Sequence, residues 1–262
     1  MELVDSHCHL HDREFFAEEQ AEEMLGRAHA RGVSRIICIG TSHNDSLAAR
    51  GFCEKHAGAF WTYGVHPEGA GEEYEFTDGK RLVGIGEVGL DYHYPGYNRE
   101  KQIRLLEEMI QLAVEHNLPC SFHVRDALPD FFDVVKNFPK LKPSVLHSFS
   151  DSRENLERAL EFGFYIGVNG IATFANLECY KELTPDFLEK AVLETDAPFL
   201  TPVPNRGKIN EPGNVFDVAA WLAKKFNVSV AEVAERTTKN AKEVFDLPDS
   251  ESARRRESDA GF

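Results

Sequence analysis

The chain has 262 residues, 42% of them hydrophobic, enough for a sizeable core and a length that suits one eight-fold α/β barrel of about 250 residues. Its 44 acidic and 29 basic residues give a formal charge of −15, which excludes a passive DNA-coating protein but not a nucleic-acid enzyme whose acidic pocket is offset by bound cations. No apolar run approaches the roughly 20 residues that span a bilayer, no basic-then-apolar leader opens the chain, and five cysteines without a Cys-x-x-Cys pair favour a reducing compartment; the expected location is cytoplasmic, away from membranes.

In chain order, apolar and β-branched runs predict strands at residues 3–9, 35–40, 60–66, 82–87, 119–124, 144–147, 164–168 and 191–195. Helical spacing fills 14–30, 44–56, 99–116, 128–138, 153–161, 216–226 and 230–245. The 99–116 segment is the clearest, with Ile103, Leu106, Ile110, Ala113 and Val114 on one stripe. Asn98 is its expected N-cap, and Asn117 followed by Pro119 its stop. The weak unit is 68–80, which is short and acidic and has no apolar stripe. Short apolar strands alternating with helices imply a parallel sheet buried on both faces, and eight such units imply a closed (β/α)8 TIM barrel. An open doubly wound sheet is the alternative that the same alternation allows. No linker or composition shift divides residues 1–248, which read as one domain, while 249–262, with Arg254–Arg256 among small polar residues, reads as a disordered tail.

The chemistry sits at the strand ends. His7 and His9 lie two residues apart, so a strand presents them on one face and Cys8 on the other, toward the core. Later strands end in Gly64-Val-His66-Pro67, Gly86-Glu87-Val-Gly-Leu-Asp91, Phe122-His123-Val-Arg125, Leu146-His147-Ser148 and Glu194-Thr-Asp196-Ala-Pro198. In a barrel these ends meet at one mouth. Taken singly, each residue has a plain reading as a strand end, turn or cap. Together, the four imidazoles of His7, His9, His123 and His147 and the carboxylates of Glu87 and Asp196 are a suitable donor set for two borderline cations. His29, His43, His56 and His116 fall in helices or helix starts and are expected to face solvent; His11 and His93 lie on loops near the mouth.

Asp5-Ser-His-Cys-His9, Gly64-Val-His-Pro67, Gly86-Glu-Val-Gly-Leu-Asp-Tyr92, Phe122-His-Val-Arg125, Leu146-His-Ser-Phe149, Glu194-Thr-Asp-Ala-Pro198 and Arg206-Gly-Lys-Ile-Asn-Glu-Pro212 closely resemble the TatD family of metal-dependent deoxyribonucleases. The resemblance runs in order to Thr238-Lys-Asn240. One departure is Asp151, where the family often has Gly; it is read as the cap of the next helix.

The resemblance implies a metal-dependent hydrolase barrel that cleaves phosphodiester bonds in DNA, trimming 3′ ends with a water activated by two divalent ions (Zn, Mg or Mn). It assigns His7, His9, Glu87 and Asp196 to the first ion and Glu87, His123 and His147 to the second, with Glu87 bridging. Asp196 is the candidate proton acceptor, or a ligand only. His66 either holds a phosphate oxygen or assists the leaving group. Arg125 and Arg206 are candidate phosphate contacts, or ordinary surface ion-pair residues. Lys208, Asn210 and Glu211 are expected to shape the last loop. The expected substrate is single-stranded DNA ends or short oligonucleotides, acted on by a monomer by default. The rival reading is an ester or amide hydrolase on the same scaffold, such as a D-aminoacyl-tRNA deacylase, because the same metal chemistry attacks carbonyl carbon or phosphorus. A non-catalytic binding module would need a broken donor set and a basic surface.

Overall fold

The apolar blocks fold as β1 (Leu3–Cys8), β2 (Val33–Ile39), β3 (Ala59–Tyr63), β4 (Leu82–Asp91), β5 (Cys120–Arg125), β6 (Val145–Leu146), β7 (Tyr165–Val168) and β8 (Ala191–Leu193). In the computed structural model, which describes residues 1–249, they form one parallel sheet in the order β1 to β8. The sheet curls into a nearly closed TIM barrel. Helices α1 (Glu18–Ala30), α2 (His43–Lys55), α3 (Arg99–Glu115), α4 (Leu128–Val135), α5 (Arg153–Glu161), α6 (Ile171–Phe174), α7 (Glu178–Lys181), α8 (Val215–Phe226) and α9 (Val230–Val244) accompany it. No helix among the described residues is long and apolar enough to cross a membrane.

Two apolar layers result. Inside the barrel, Val4, Ile37, Phe60, Val83, Tyr165 and Val192 pack together, and Val244 and Phe245 from the end of α9 close the floor. Outside, strand residues meet the helices, as where Phe122 packs on Phe131 of α4 with ring centroids 4.9 Å apart. Cys8 belongs to this outer layer and turns away from the mouth, as its alternation with His7 and His9 predicts.

The β8–β1 seam lacks a regular ladder. At the mouth it is stitched by His9 N–H to the Ala197 carbonyl and Asp196 N–H to the His7 carbonyl, both 2.8 Å. The fully buried Asp5 carboxylate also accepts from the Thr195 N–H at 2.8 Å and the Thr195 hydroxyl at 2.6 Å. At the floor, α9 supplies the missing rungs. Thr238 Oγ1 donates to the Glu2 carbonyl, and Asn240 Nδ2 donates to the Leu188 and Ala191 carbonyls.

The structure meets some of these expectations and departs from others. Segment 68–80 forms no α-helix, only a 3₁₀ turn at Pro67–Gly69, and is clipped to the barrel by bonds from Trp61 Nε1 to the Lys80 carbonyl and from Tyr63 Oη to the Glu75 carbonyl. Helix α1 starts at Glu18 rather than at 14, because Asp12 closes a turn through its side chain to Glu14 N–H and its carbonyl to Phe16 N–H. Strand β4 continues past Glu87 to Asp91. Gly89 is a packing position inside the strand, where a β-carbon would overlap the His123 carbonyl of β5. The cap of α5 is Ser152, whose hydroxyl accepts from Asn155 N–H; Asp151 instead accepts from Ser152 N–H and Asn155 Nδ2. Asn98 caps α3 as expected. His43 and His56 are half-buried against Tyr63 and Phe52 rather than facing solvent, whereas His29 and His116 are exposed. Of the expected tail, all but Asp249 lies outside the described residues.

Removing Asp5 strands two buried donors on Thr195, so Asp5→Ala should cost about 3 kcal/mol of unfolding free energy in urea titration, and Asp5→Asn clearly less. Wild-type stability in Asp5→Ala would show that the seam is held by other means.

Candidate metal centre

Five side chains at the C-terminal ends of β1, β5, β6 and β8 gather around Glu87 of β4, which is only 5% exposed. Glu87 Oε1 lies 2.8 Å from His123 Nδ1 and 2.9 Å from His147 Nε2. Its Oε2 faces the other way, 3.5 Å from His7 Nε2 and 3.9 Å from His9 Nε2. Asp196 Oδ1 joins that side, 3.6 and 3.5 Å from the same two nitrogens. Every candidate ligand named from the sequence is thus in one cluster. The backbone allows this because a β-carbon at Gly64 would overlap the Gly86–Glu87 peptide, so the glycine lets β3 approach β4 closely.

The outward-facing ring nitrogens orient the imidazoles. His9 Nδ1 donates to the Ile39 carbonyl at 3.1 Å, and His123 Nε2 lies 2.9 Å from Asp91 Oδ2. Each donor leaves a lone pair on the nitrogen that faces Glu87 and Asp196. His7 Nδ1 sits 3.3 Å from Ser121 Oγ, and His7 Nε2 is buried with no hydrogen-bond partner. His66 differs. Its Nδ1 accepts from Glu68 N–H at 3.3 Å, so its proton sits on Nε2, 3.9 Å from Glu87 Oε1. It faces the pocket as a donor, not as a lone pair.

Lone pairs packed against carboxylate oxygens repel unless a proton or a cation lies between them. Burial alone would raise Glu87, but His147 and His123 hold it well below the usual carboxylate range, and Asp196 is lowered against burial by His9 and His7. Burial also opposes a charged imidazole at His9 and His123. Asp196 overcomes this at His9, as Asp91 and Glu87 do at His123, and both rise to about 9. Burial takes His7 and His66 down to about 4. The neighbouring carboxylates raise His147 as well, so in cation-free protein protons on His9, His123 and His147 supply the positive charge that the carboxylates need. The unpartnered His7 Nε2 and the 3.2 Å gap between His123 Nδ1 and His147 Nε2 fit a small divalent cation, whose donors stand roughly 3.3 Å apart in a tetrahedral shell.

A family model described as TatD related DNase matches residues 4–246. The chain belongs to the TatD family. It is 35% identical over 257 residues to the metal-dependent hydrolase YcfH of Escherichia coli K12, covering 94% of this chain and 97% of that one. It is 32% identical over 248 residues to a protein of Erwinia tasmaniensis named 3′-5′ ssDNA/RNA exonuclease TatD, covering 88% of this chain and 95% of that one. The crystal structure of the TatD homologue YjjV from Escherichia coli K12 superposes with a TM-score of 0.83 at 26% identity, covering 94% and 98% of the two chains. These matches make the chain a TatD-family metal-dependent hydrolase.

Around this TatD centre the structure places carboxylates that the sequence left without a role. Asp91 orients His123 and accepts from His93 N–H at 2.9 Å. It lies four residues after Glu87 in β4, an even spacing that could have flagged it. Glu194 is fully buried behind His147, its Oε1 accepting from Ser148 N–H at 2.6 Å and lying 3.7 Å from His147 Nδ1. Burial raises it to about 8, and a β-carbon at Gly167 would overlap its carboxylate.

Arg125 and Arg206 are exposed at the rim, stacked over Tyr94 at 5.3 Å and Phe174 at 3.7 Å, and neither reaches the cluster. His11 is buried on Asp45 at 2.9 Å, and His93 is exposed and bonded to Asp126. Asn210 pins the last loop, while Glu211 pairs with Arg27 and the Lys208 carbonyl accepts from Thr201.

Cation binding must displace the protons on His9, His123 and His147. Apparent affinity for Zn or Mn should therefore rise with pH from 7 to about 9, with net proton release at pH 7. Calorimetry in two buffers of different ionisation heat measures that release; none at all would contradict the charge balance.

Proposed function

We propose that this chain hydrolyses phosphodiester bonds at DNA ends, in single strands or short oligonucleotides, with two divalent cations. The carrying observation is the split around Glu87. One oxygen faces His123 and His147, and the other faces His7 and His9, which Asp196 also faces. A single carboxylate shared between two donor groups suits a bridging ligand that reduces the repulsion between neighbouring cations. His7, His9, Glu87 and Asp196 would hold one cation, and Glu87, His123 and His147 the other. Such cations, when bound, make water acidic and neutralise charge on a phosphoryl group.

The protein groups divide the remaining work. Asp196 is held below the ordinary carboxylate range and is therefore ionised at neutral pH, ready to take the proton of an attacking water. His66, neutral and with Nε2–H aimed into the pocket, is placed to hold a phosphate oxygen or the leaving oxygen. Arg125 and Arg206 would meet flanking phosphates at the rim. The 3′-5′ polarity is taken from the name carried by the Erwinia relative.

Glu87→Ala and Asp196→Asn should each lower hydrolysis of single-stranded oligonucleotides with Mg, Mn or Zn by at least about 100-fold. Full activity in both variants would sink the site assignment. Release of free amino acid from aminoacyl-tRNA with the RNA left intact would favour the deacylase reading. His66→Ala should lose about 10- to 100-fold in kcat/KM, and His66→Gln, which keeps a donor, should recover part of it.

A further inference from the structure

Among the described residues, most large hydrophobic side chains left exposed lie on segments that follow the C-terminal ends of strands, around the mouth. Four of the aromatic ones are Phe15 after β1, Tyr94 after β4, Phe174 after β7 and Phe199 after β8. They are not equivalent. Arg125 covers the face of Tyr94, and Arg206 covers that of Phe174. Phe15 and Phe199 instead meet each other edge to face, with centroids 5.3 Å apart at 82°, and are 46% and 47% exposed. An edge-to-face pair leaves ring surface open for a third flat group.

This corner is held rigidly and adjoins the reacting centre. Phe199 N–H donates to the Asp196 carbonyl at 2.8 Å, and the Phe199 carbonyl accepts from the buried Asn210 Nδ2 at 2.6 Å. Asn210 is itself fixed, donating also to the Thr195 carbonyl and accepting from Asn214 Nδ2. The Phe199 ring lies 6.4 Å from that of His9, one of the cluster imidazoles. Phe15 precedes the buried Phe16 on the turn closed by Asp12. A single exposed ring needs no explanation, but two exposed rings in contact beside the cluster form a contiguous apolar surface of the kind that marks a binding site.

We infer that Phe199, backed by Phe15, is a stacking platform for one nucleobase of a single-stranded substrate, the base attached to the sugar next to the scissile phosphate. The inference rests on the phosphodiester reading above and specifies how its substrate is selected. Stacking on an aromatic ring is tolerant of base identity but needs an unstacked, unpaired base, so the platform favours frayed or single-stranded ends over duplex. The two arginine-capped rings on the other sides of the mouth carry positive charge suited to the flanking backbone. A protein partner or second copy fits less well, because two exposed rings beside a polar hollow fall far short of the roughly 800 Å² that each side of a stable interface buries.

The test compares pdTpdT with its two analogues in which one nucleoside or the other is replaced by abasic tetrahydrofuran, with Mg or Mn present. The wild-type chain should prefer pdTpdT over one of the analogues by about ten-fold, since base–aromatic stacking is worth roughly 1–3 kcal/mol per base. In Phe199→Ala that ratio should fall close to one; Phe199→Trp, which keeps an aromatic face, should preserve it. A wild-type chain indifferent to both abasic positions, or a ratio unchanged in Phe199→Ala and in the Phe15→Ala Phe199→Ala pair, would overturn the platform while leaving the hydrolase reading intact. No cleavage of any oligonucleotide by wild type would bring both down. Light scattering checks the remaining occupant: a dimer that the double variant turns into monomer, with the base preference unchanged, would assign the rim to self-association and reject this inference.

Discussion

A carboxylate buried at the centre of the barrel mouth must be matched by positive charge, and the structure around Glu87 is organised by that demand. Imidazoles surround it because they can turn a lone pair inward while their second nitrogen is held from behind. Ile39 and Asp91 provide that hold for His9 and His123, and Ser121 stands behind His7. A mouth left with the carboxylates and without cations keeps its balance by loading protons onto His9, His123 and His147, which ties cation affinity to pH. His66 is the exception, because Glu68 N–H occupies its Nδ1 and fixes its proton on the pocket side.

Placement depends on rigid strands rather than on loops. Glu87 sits within β4, where its N–H donates to the Gly40 carbonyl at 2.6 Å, and His123 sits within β5, in register with Gly89 of β4. Asp196 is just past the end of β8, and its N–H bond to the His7 carbonyl locks it to the strand that carries the first two imidazoles. Asp5 and Thr195 reinforce this bond from one turn below, so the seam and one half of the centre are a single construction. At and beyond the strand ends lie Arg125, Arg206 and the exposed aromatic rings, apart from the cluster itself.

The sequence carries the barrel and the donor set unevenly. The candidate ligands are legible because each ends an apolar block, and the period of two puts His7 and His9 on one face. The extent of β4 past Glu87 is not legible, because Gly89 interrupts the apolar run, whereas in the fold it is a place where β5 comes too close for a side chain. Segment 68–80 shows its lack of a stripe, but its anchoring by Trp61 and Tyr63 arises only in three dimensions. Asp91 and Glu194 lie in quoted motifs yet have no role until their partners, 32 and 47 residues away, are in place. The choice of Ser152 over Asp151 as the α5 cap is a one-residue matter of backbone geometry that composition does not decide.

The rungs that α9 adds beneath the seam bear on how the centre comes into being. His7 and His9 are among the first residues made, but Asp196 can meet them only when β8 settles beside β1, and the floor of that junction is closed by Thr238 and Asn240. On a growing chain the ring therefore stays open through most of synthesis, with two imidazoles waiting on an unsealed edge. Assembly of the full donor set therefore coincides with closure of the circle.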